Sequence, residues 1–223
     1  MESKPQLSST SYYNAIAKGY NALYEQEQVE KLLLIMEYLP TILLSYYNSK
    51  KRKAITILDI GCGTGISSRI GLMLQQQNIK VGKIIGIDPA KELLKQNPFP
   101  NIVGSAEALP FQDEEFDMVI SLTAAQNFSD IHQALLETNR VLKPNGIVVC
   151  SILKKSKKKD LFKRIAEKLF TKQGWLEHAK DLIFLGKKSK NSKEPIHQPL
   201  KKRKNIKGIK TKKQVLLLYP VAF

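Results

Sequence analysis

The stretch ITILDIGCGTG, residues 55–65, constrains the fold more than any other part of the chain. Its continuous apolar, β-branched run is typical of a strand buried on both faces of a parallel sheet. Gly61, Gly63 and Gly65 then predict a tight turn into a helix, because glycine adopts positive φ angles and lets a ligand approach the backbone. The dinucleotide fingerprint G-x-G-x-x-G is not met, since Ile66 stands where its third glycine belongs. The turn alone therefore predicts a ligand site without deciding the ligand.

Strand and helix patterns alternate along the rest of the chain, which predicts a doubly wound, mostly parallel sheet of the α/β class. Helices are expected over 66–77, from Pro89, from an N-cap at Asp130, and as a basic amphipathic helix over 157–171. Strands are expected over 55–60, 83–88, 101–104, 116–123, 146–153 and 181–186.

Three regions differ in composition. Residues 1–53 predict an N-terminal helical cap, helical over 11–47, and residues 54–188 predict the α/β domain. Residues 189–223 form a basic tail that we expect to be disordered, because it is highly charged and has few apolar residues. It closes on the apolar stretch VLLLYPVAF, which could dock as an edge strand, meet a partner or carry no function.

The formal charge of +16 is concentrated in two segments of a chain of 223 residues. Residues 154–172 hold nine Lys/Arg against two acids, and residues 187–213 hold twelve against one. Such concentration predicts a polyanionic partner, RNA being the expected one, bound through Lys154–Lys159 and the 187–213 tail. The alternative is that both segments are only solvated.

Other composition features narrow the class of protein. Two cysteines give neither a disulfide framework nor a metal-binding pattern, so no metal site is expected. The N-terminus lacks the apolar core of a signal peptide, and the apolar region 32–44 is too short to be a transmembrane segment. We therefore expect a cytoplasmic protein, or a nuclear one in a eukaryotic cell.

Five segments in this order and spacing resemble class I S-adenosylmethionine-dependent methyltransferases of the methyltransferase type 11-like branch, which carries a short N-terminal helical cap. The resemblance covers roughly residues 12–187 and implies a Rossmann-like, seven-stranded sheet with S-adenosyl-L-methionine as cofactor. The segments are LDIGCGTG, GIDPA, GSAEALPF, FDMVIS and RVLKPNGIVV.

The same resemblance implies a set of cofactor-binding residues. The glycine turn with Asp59 lines the methionine and ribose part, Asp88 holds the ribose hydroxyls, and Pro89 lies next to the adenine. The turn at 105–107 meets the adenine edge, and Tyr13 and Tyr20 fold over the cofactor, unless they serve only in helix packing. The full predicted set is Tyr13, Tyr20, Asp59, Gly61, Cys62, Gly63, Gly65, Asp88, Pro89, Ser105, Ala106, Glu107 and Ser121.

The segment after the fourth strand is expected to face the methyl acceptor. Gln126, Asn127 and Tyr20 are the candidate catalytic residues there, although the two amides could equally serve as a helix cap or loop contact. In-line transfer from a sulfonium depends largely on alignment, so it requires no catalytic triad. No Asn/Asp-Pro-Pro-aromatic motif and no Pro-Cys pair follows that strand, which argues against the usual adenine and cytosine C5 methylation chemistries.

Three functions remain open on the sequence. The S-x-x-A-x-Q pattern after strand four, with the Lys-rich tail, is similar to ribosomal-RNA guanine-N7 methyltransferases and favours an RNA base, in tRNA or rRNA, as acceptor. The second is a small-molecule acceptor such as a quinone, and the third is a non-catalytic RNA-binding assembly factor. The sequence also leaves open whether a small activating protein partner is needed.

Overall fold

The computed structural model describes residues 9–49 and 54–189. These residues build one seven-stranded sheet with the strand order β3-β2-β1-β4-β5-β7-β6. The first five strands in that order are parallel, and β7 runs antiparallel to both of its neighbours. The strands are β1 Ile55–Ile60, β2 Val81–Asp88, β3 Asn101–Val103, β4 Phe116–Ser121, β5 Leu142–Leu153, β6 Phe170–His178 and β7 Asp181–Lys188.

Seven α-helices flank this sheet in the described part of the chain. The predicted α/β class, the mostly parallel sheet and the N-terminal helical region are confirmed. The helices are α1 Ser9–Ile16, α2 Tyr20–Met36, α3 Leu39–Ser49, α4 Ile70–Gln76, α5 Lys91–Leu94, α6 Ile131–Val141 and α7 Lys159–Leu169.

The cap helices α2 and α3 cover one face of the sheet. Leu32, Ile35, Leu39 and Leu43 are buried against strand residues on that face, together with α4. The opposite face packs against α6 and α7, which contribute Leu135, Phe162 and other buried side chains. The sheet is therefore covered on both faces, as its continuous apolar strands require.

Two buried polar contacts fix the cap at opposite edges of the sheet. At the amino ends of the parallel strands, the Tyr46 hydroxyl on α3 donates to Asp117 Oδ1 over 2.9 Å. At the carboxyl ends, Lys31 on α2 is paired with Asp181 at the start of β7, 2.5 Å apart. The cap is thus anchored across the full height of the strands.

The C-terminal third of the domain differs from the predicted elements. The helix predicted over 157–171 ends at Leu169, and Phe170–His178 forms the edge strand β6, for which no individual strand was expected. β6 pairs with β7 from Phe170↔Lys188 to His178↔Asp181. Pairing with a later segment therefore decides this conformation, and a local pattern does not contain that information.

The N-terminal helical region is also more divided than expected. A single helical stretch was predicted over 11–47, whereas the chain forms α1, a 3-10 turn at Ala17–Gly19, α2 and α3. None of the helices within 9–49 and 54–189 is long and apolar enough to cross a membrane. The predicted tail, apart from Ser189, lies outside the described residues, as does the connector at 50–53.

Candidate cofactor cavity and acceptor edge

A cavity of about 230 Å³ opens at the carboxyl ends of β1, β2 and β4. This is the edge of a doubly wound sheet where ligands bind. The start of α1 and the tyrosines of the cap close its other side. Ten predicted site residues line it: Tyr13, Tyr20, Gly61, Gly63, Asp88, Pro89, Ser105, Ala106, Glu107 and Asn127.

All three glycines of the turn after β1 adopt positive φ angles, of 74°, 47° and 90° for Gly61, Gly63 and Gly65. A Cβ on Gly61 would lie 2.5 Å from the Cβ of Ala124, and one on Gly65 would lie 2.4 Å from Oδ1 of Asn97. Gly65 does not line the cavity, and its hydrogen makes room for Asn97.

Asp88 ends β2 on the cavity wall. Its Oδ2 accepts the Gly63 N–H over 3.0 Å, and its Oδ1 accepts the Ala90 N–H over 2.7 Å. Burial raises the pKa of Asp88 even though both N–H donors act in the opposite direction. The carboxylate therefore joins the glycine turn to the start of the next loop, and each oxygen keeps a further lone pair for a ligand.

Asp59 lies behind the turn and is fully buried. The hydroxyls of Ser67 and Ser68 donate to its Oδ2 over 2.7 and 2.6 Å, while Oδ1 is buried with no hydrogen-bond partner among the described residues. Burial raises its pKa to about 6. An unpaired carboxylate oxygen beside the glycine turn fits the positively charged methionine end of S-adenosylmethionine, so the residues present are compatible with that cofactor.

Tyr13 and Tyr20 stand over the cavity with their ring centroids 6.1 Å apart. Burial raises the pKa of both hydroxyls, so both are neutral donors at physiological pH. Asn127, one of the acceptor-side candidates, donates from Nδ2 to the Tyr13 hydroxyl over 3.2 Å. The cap and the loop after β4 thus meet over the cavity.

The loop at 105–107 forms the far wall, and its acid is already engaged. Glu107 Oε1 accepts the Ser129 N–H over 2.7 Å and the Ser129 hydroxyl over 2.8 Å. Burial alone would raise the pKa of Glu107, but these hydrogen bonds outweigh it and lower the pKa. Glu107 therefore holds this loop against the segment before α6.

Three further predicted residues lie away from the cavity surface. Cys62 is buried beneath the turn, where its Sγ fills the space left by Gly86; a Cβ there would be 2.4 Å away. Ser121 is buried beside its β5 neighbour Cys150. Gln126 donates from Nε2 to the Thr123 carbonyl over 2.5 Å, so its amide braces the loop.

Several residues of the site were not predicted because their role depends on distant partners. Asn97 Nδ2 donates to the Gly63 carbonyl over 3.1 Å, and the Thr64 hydroxyl donates to Asn21 on α2 over 2.7 Å. Lys31 and Thr123 form a buried contact across more than ninety residues of sequence. The local signal was the presence of Gln28 and Lys31 beside Leu32 and Ile35 on the inward face of α2.

Comparison with known proteins agrees with this geometry. A family model described as Methyltransferase domain matches residues 58–150, the span from β1 to β5. Residues 58–150 therefore form a methyltransferase domain of the class I S-adenosylmethionine-dependent fold. The cofactor of this family is S-adenosyl-L-methionine.

Each match to a curated relative covers only part of this chain and part of the relative. An uncharacterized protein of Methanocaldococcus jannaschii is 31% identical over 149 residues, which is 67% of this chain and 53% of that protein. A demethylmenaquinone methyltransferase of Staphylococcus aureus is 37% identical over 112 residues, 44% of this chain and 43% of that enzyme. The chain thus spans about half the length of the curated relatives it matches.

Solved structures share the methyltransferase fold at low sequence identity. A putative S-adenosyl-L-methionine-dependent methyltransferase of Methanococcus maripaludis is 16% identical with a TM-score of 0.54, over 88% of this chain and 99% of that one. A putative methyltransferase in complex with the Trm112 methyltransferase activator of Haloferax volcanii is 18% identical with a TM-score of 0.52, over 61% and 83%. These likenesses concern the fold alone.

Proposed function

We propose that this chain is an S-adenosylmethionine-dependent methyltransferase that transfers the methyl group in line to a base of RNA, in tRNA or rRNA. The main support for this proposal is the position of the basic segment Lys154–Lys159. This segment follows the last residue of β5, at the edge of the sheet where the cavity opens. Lys158 Nζ donates to the carbonyl of Phe128, a residue of the cavity wall. Cations beside the cavity mouth suit an acceptor carried on a phosphate backbone.

The cofactor would supply a methyl group on a positively charged sulfur. In this proposal Asp88 binds the ribose hydroxyls, Asp59 compensates the positive methionine end, and the 105–107 loop contacts the adenine. Tyr13 and Tyr20 cover the cavity and exclude water. Thr123 and Asn127 line the remaining wall, where the acceptor would be oriented.

The test follows labelled methyl groups from the cofactor into total RNA, a lipid extract and total protein. We expect label in RNA, with affinity for RNA that falls as salt rises. Exchanging the exposed Lys155 and Lys157 for Gln should flatten the salt dependence by about one unit of slope per lost phosphate contact. Lys80→Gln is the matched control, because this exposed lysine precedes β2 at the opposite edge of the sheet. Label confined to lipid or protein would contradict the RNA proposal.

A small-molecule acceptor such as a quinone is the second candidate. It is supported by the demethylmenaquinone methyltransferase relative, which is 37% identical over 112 residues. The labelling experiment separates the two, since a quinone acceptor places the label in the lipid extract and leaves the rate insensitive to salt.

A small activating protein is a further part of the proposal, supported by the likeness to a methyltransferase solved with an activator. We expect methyl transfer by the purified chain to rise when a lysate fraction of small proteins is added. A rate that no fraction raises would contradict an activating partner.

A further inference from the structure

Lys31 is a buried cation beside the acceptor wall of the cavity. Its side chain is fully buried on α2, and its Nζ lies 2.5 Å from Asp181 Oδ2 and 2.8 Å from Glu27 Oε1. The same Nζ donates to the hydroxyl of Thr123 over 2.8 Å. Because a buried charge is costly unless it is fully paired, this contact fixes the positions of all its partners closely.

Thr123 is the residue that Lys31 reaches on the cavity wall. It follows β4 with a φ angle of 53°, in the left-handed region that a β-branched residue rarely adopts. Such a conformation persists only where the surroundings hold it, and it is concentrated at functional sites.

The surroundings of Thr123 hold it through each of its polar groups. Gln28 Nε2 donates to the Thr123 hydroxyl over 3.1 Å, and the Thr123 backbone N–H donates to Ser151 Oγ over 2.7 Å. Ser151 in turn donates to Asp181 Oδ1 over 3.1 Å, so the Lys31–Asp181 pair supports Thr123 from two directions. The Thr123 carbonyl accepts from Gln126, which passes the constraint into the loop that carries Asn127.

We propose that Lys31 is a positioning residue: through Thr123 it fixes the loop 122–129, the acceptor wall of the cavity. The part that concerns the acceptor rests on the proposed function above. The competing explanation is that the Lys31–Asp181 pair only anchors the cap to the sheet. An anchor alone would affect the stability of the whole domain, whereas a positioning residue affects this loop and the transfer step.

The first test is hydrogen–deuterium exchange of the segment 122–129, which does not depend on the acceptor. Lys31→Met combined with Asp181→Leu removes the pair without leaving a buried charge, a replacement that proteins often tolerate. Thr123→Val removes only the hydroxyl that Lys31 and Gln28 contact. In both variants we expect exchange of 122–129 to become about tenfold faster or more, with the protection of β1 and β4 retained.

Two matched variants serve as controls. Thr123→Ser keeps the hydroxyl and should keep wild-type exchange. Tyr46→Phe removes a buried cap-to-sheet hydrogen bond at the amino ends of the strands, far from Thr123, and should leave 122–129 unchanged. Unchanged exchange of 122–129 in Thr123→Val and in the folded Lys31→Met/Asp181→Leu protein would overturn the proposal; if the double variant does not fold, Thr123→Val decides.

The second test is kinetic, in whichever fraction accepts the label. We expect kcat to fall on the order of 10- to 100-fold in both variants while the Kd for S-adenosylmethionine stays within about twofold, because the acceptor is misplaced and the donor is not. Combining Thr123→Val with the Lys31 variant should add little further loss. An unchanged kcat would overturn the acceptor part. If the wild-type protein transfers the label to lipid or protein and not to RNA, only the RNA proposal is contradicted. The exchange result then still decides whether Lys31 positions the loop.

Discussion

At the scale of single residues, the site combines predicted identities with contacts that no local pattern contains. The resemblance placed Asp88 and the glycine turn together, and the structure brings them within hydrogen-bond distance at the cavity. Gly65 was expected on the same wall, but it packs against Asn97, a residue more than thirty positions later. A sequence pattern identifies the glycine without stating which neighbour requires it.

Asp59 gives a prediction on pH. Burial raises its folded-state pKa to about 6, above the ordinary value of 3.8. The native state therefore binds the proton more tightly than the unfolded chain, so the carboxylate destabilises the free protein at neutral pH, and this cost disappears as pH falls through 6 toward 4. The full difference is about 3 kcal/mol in the free energy of unfolding. Chemical denaturation of wild type and Asp59→Asn across this pH range measures it.

Comparison of the wild-type protein with Asp59→Asn gives the direction in which stability changes with pH. We expect the stability of wild type relative to the variant to rise as the solution is acidified below pH 6. Affinity for S-adenosylmethionine should fall over the same range, because the proposed pairing needs the ionised carboxylate. Parallel stability curves for the two proteins would contradict the raised pKa.

At the scale of elements, the parallel strands were predictable and the C-terminal hairpin was not. The strands β1, β2 and β4 are recognisable in the sequence as short runs with β-branched residues followed by turn residues. β6 has no such run, since most of its residues are exposed or half-buried at the sheet edge. Its conformation follows from pairing with β7, and the predicted helix therefore extended past Leu169.

The docking of the cap is the second feature at this scale that the sequence does not reveal. α2 contacts the glycine turn through Asn21 and Thr64 and contacts the next helical turn through Glu25 and Arg69, which are 2.7 Å apart. All four residues have ordinary surface identities, and only the folded geometry pairs them. The proposed site is thus shared between a predicted core and a wall whose placement depends on tertiary contacts.

This docking predicts an effect on cofactor affinity. Asn21→Ala removes the hydrogen bond between α2 and the turn and should weaken S-adenosylmethionine binding by about twofold to tenfold, the value of one hydrogen bond. Gln26→Ala is the control on the same helix, since its amide contacts only the exposed Glu30 among the described residues. Calorimetric titration of both variants measures the effect, and equal losses in the two would contradict a specific role for the Asn21 contact.

At the scale of the whole molecule, the positive charge is concentrated in two segments of the sequence. The segment 187–213 carries twelve Lys/Arg against one acid, whereas the rest of the chain outside 154–172 is nearly neutral. Only the first residues of this segment lie in the described structure, at the end of β7. The sequence therefore predicts a polyanion-binding arm, and that role stays a prediction.

Removal of residues 190–223 tests the arm. Because these residues hold ten Lys/Arg and one acid, we expect the truncated protein to bind RNA more weakly and with a flatter dependence on salt. Binding measured by filter retention across a salt series gives both quantities. Since β7 and the cavity precede the truncation, cofactor affinity should be unchanged. If the strength and the salt dependence of RNA binding are also unchanged, the tail does not bind RNA.

We propose that the cavity beside the glycine turn binds S-adenosylmethionine. Isothermal titration calorimetry of wild type, Asp88→Ala and Asp113→Ala tests it most directly, because Asp113 is an exposed acid of the 105–115 loop outside the cavity lining. We expect binding by wild type and Asp113→Ala and none by Asp88→Ala. Absence of binding by wild type, or undiminished binding by Asp88→Ala, would contradict the assignment of the cavity.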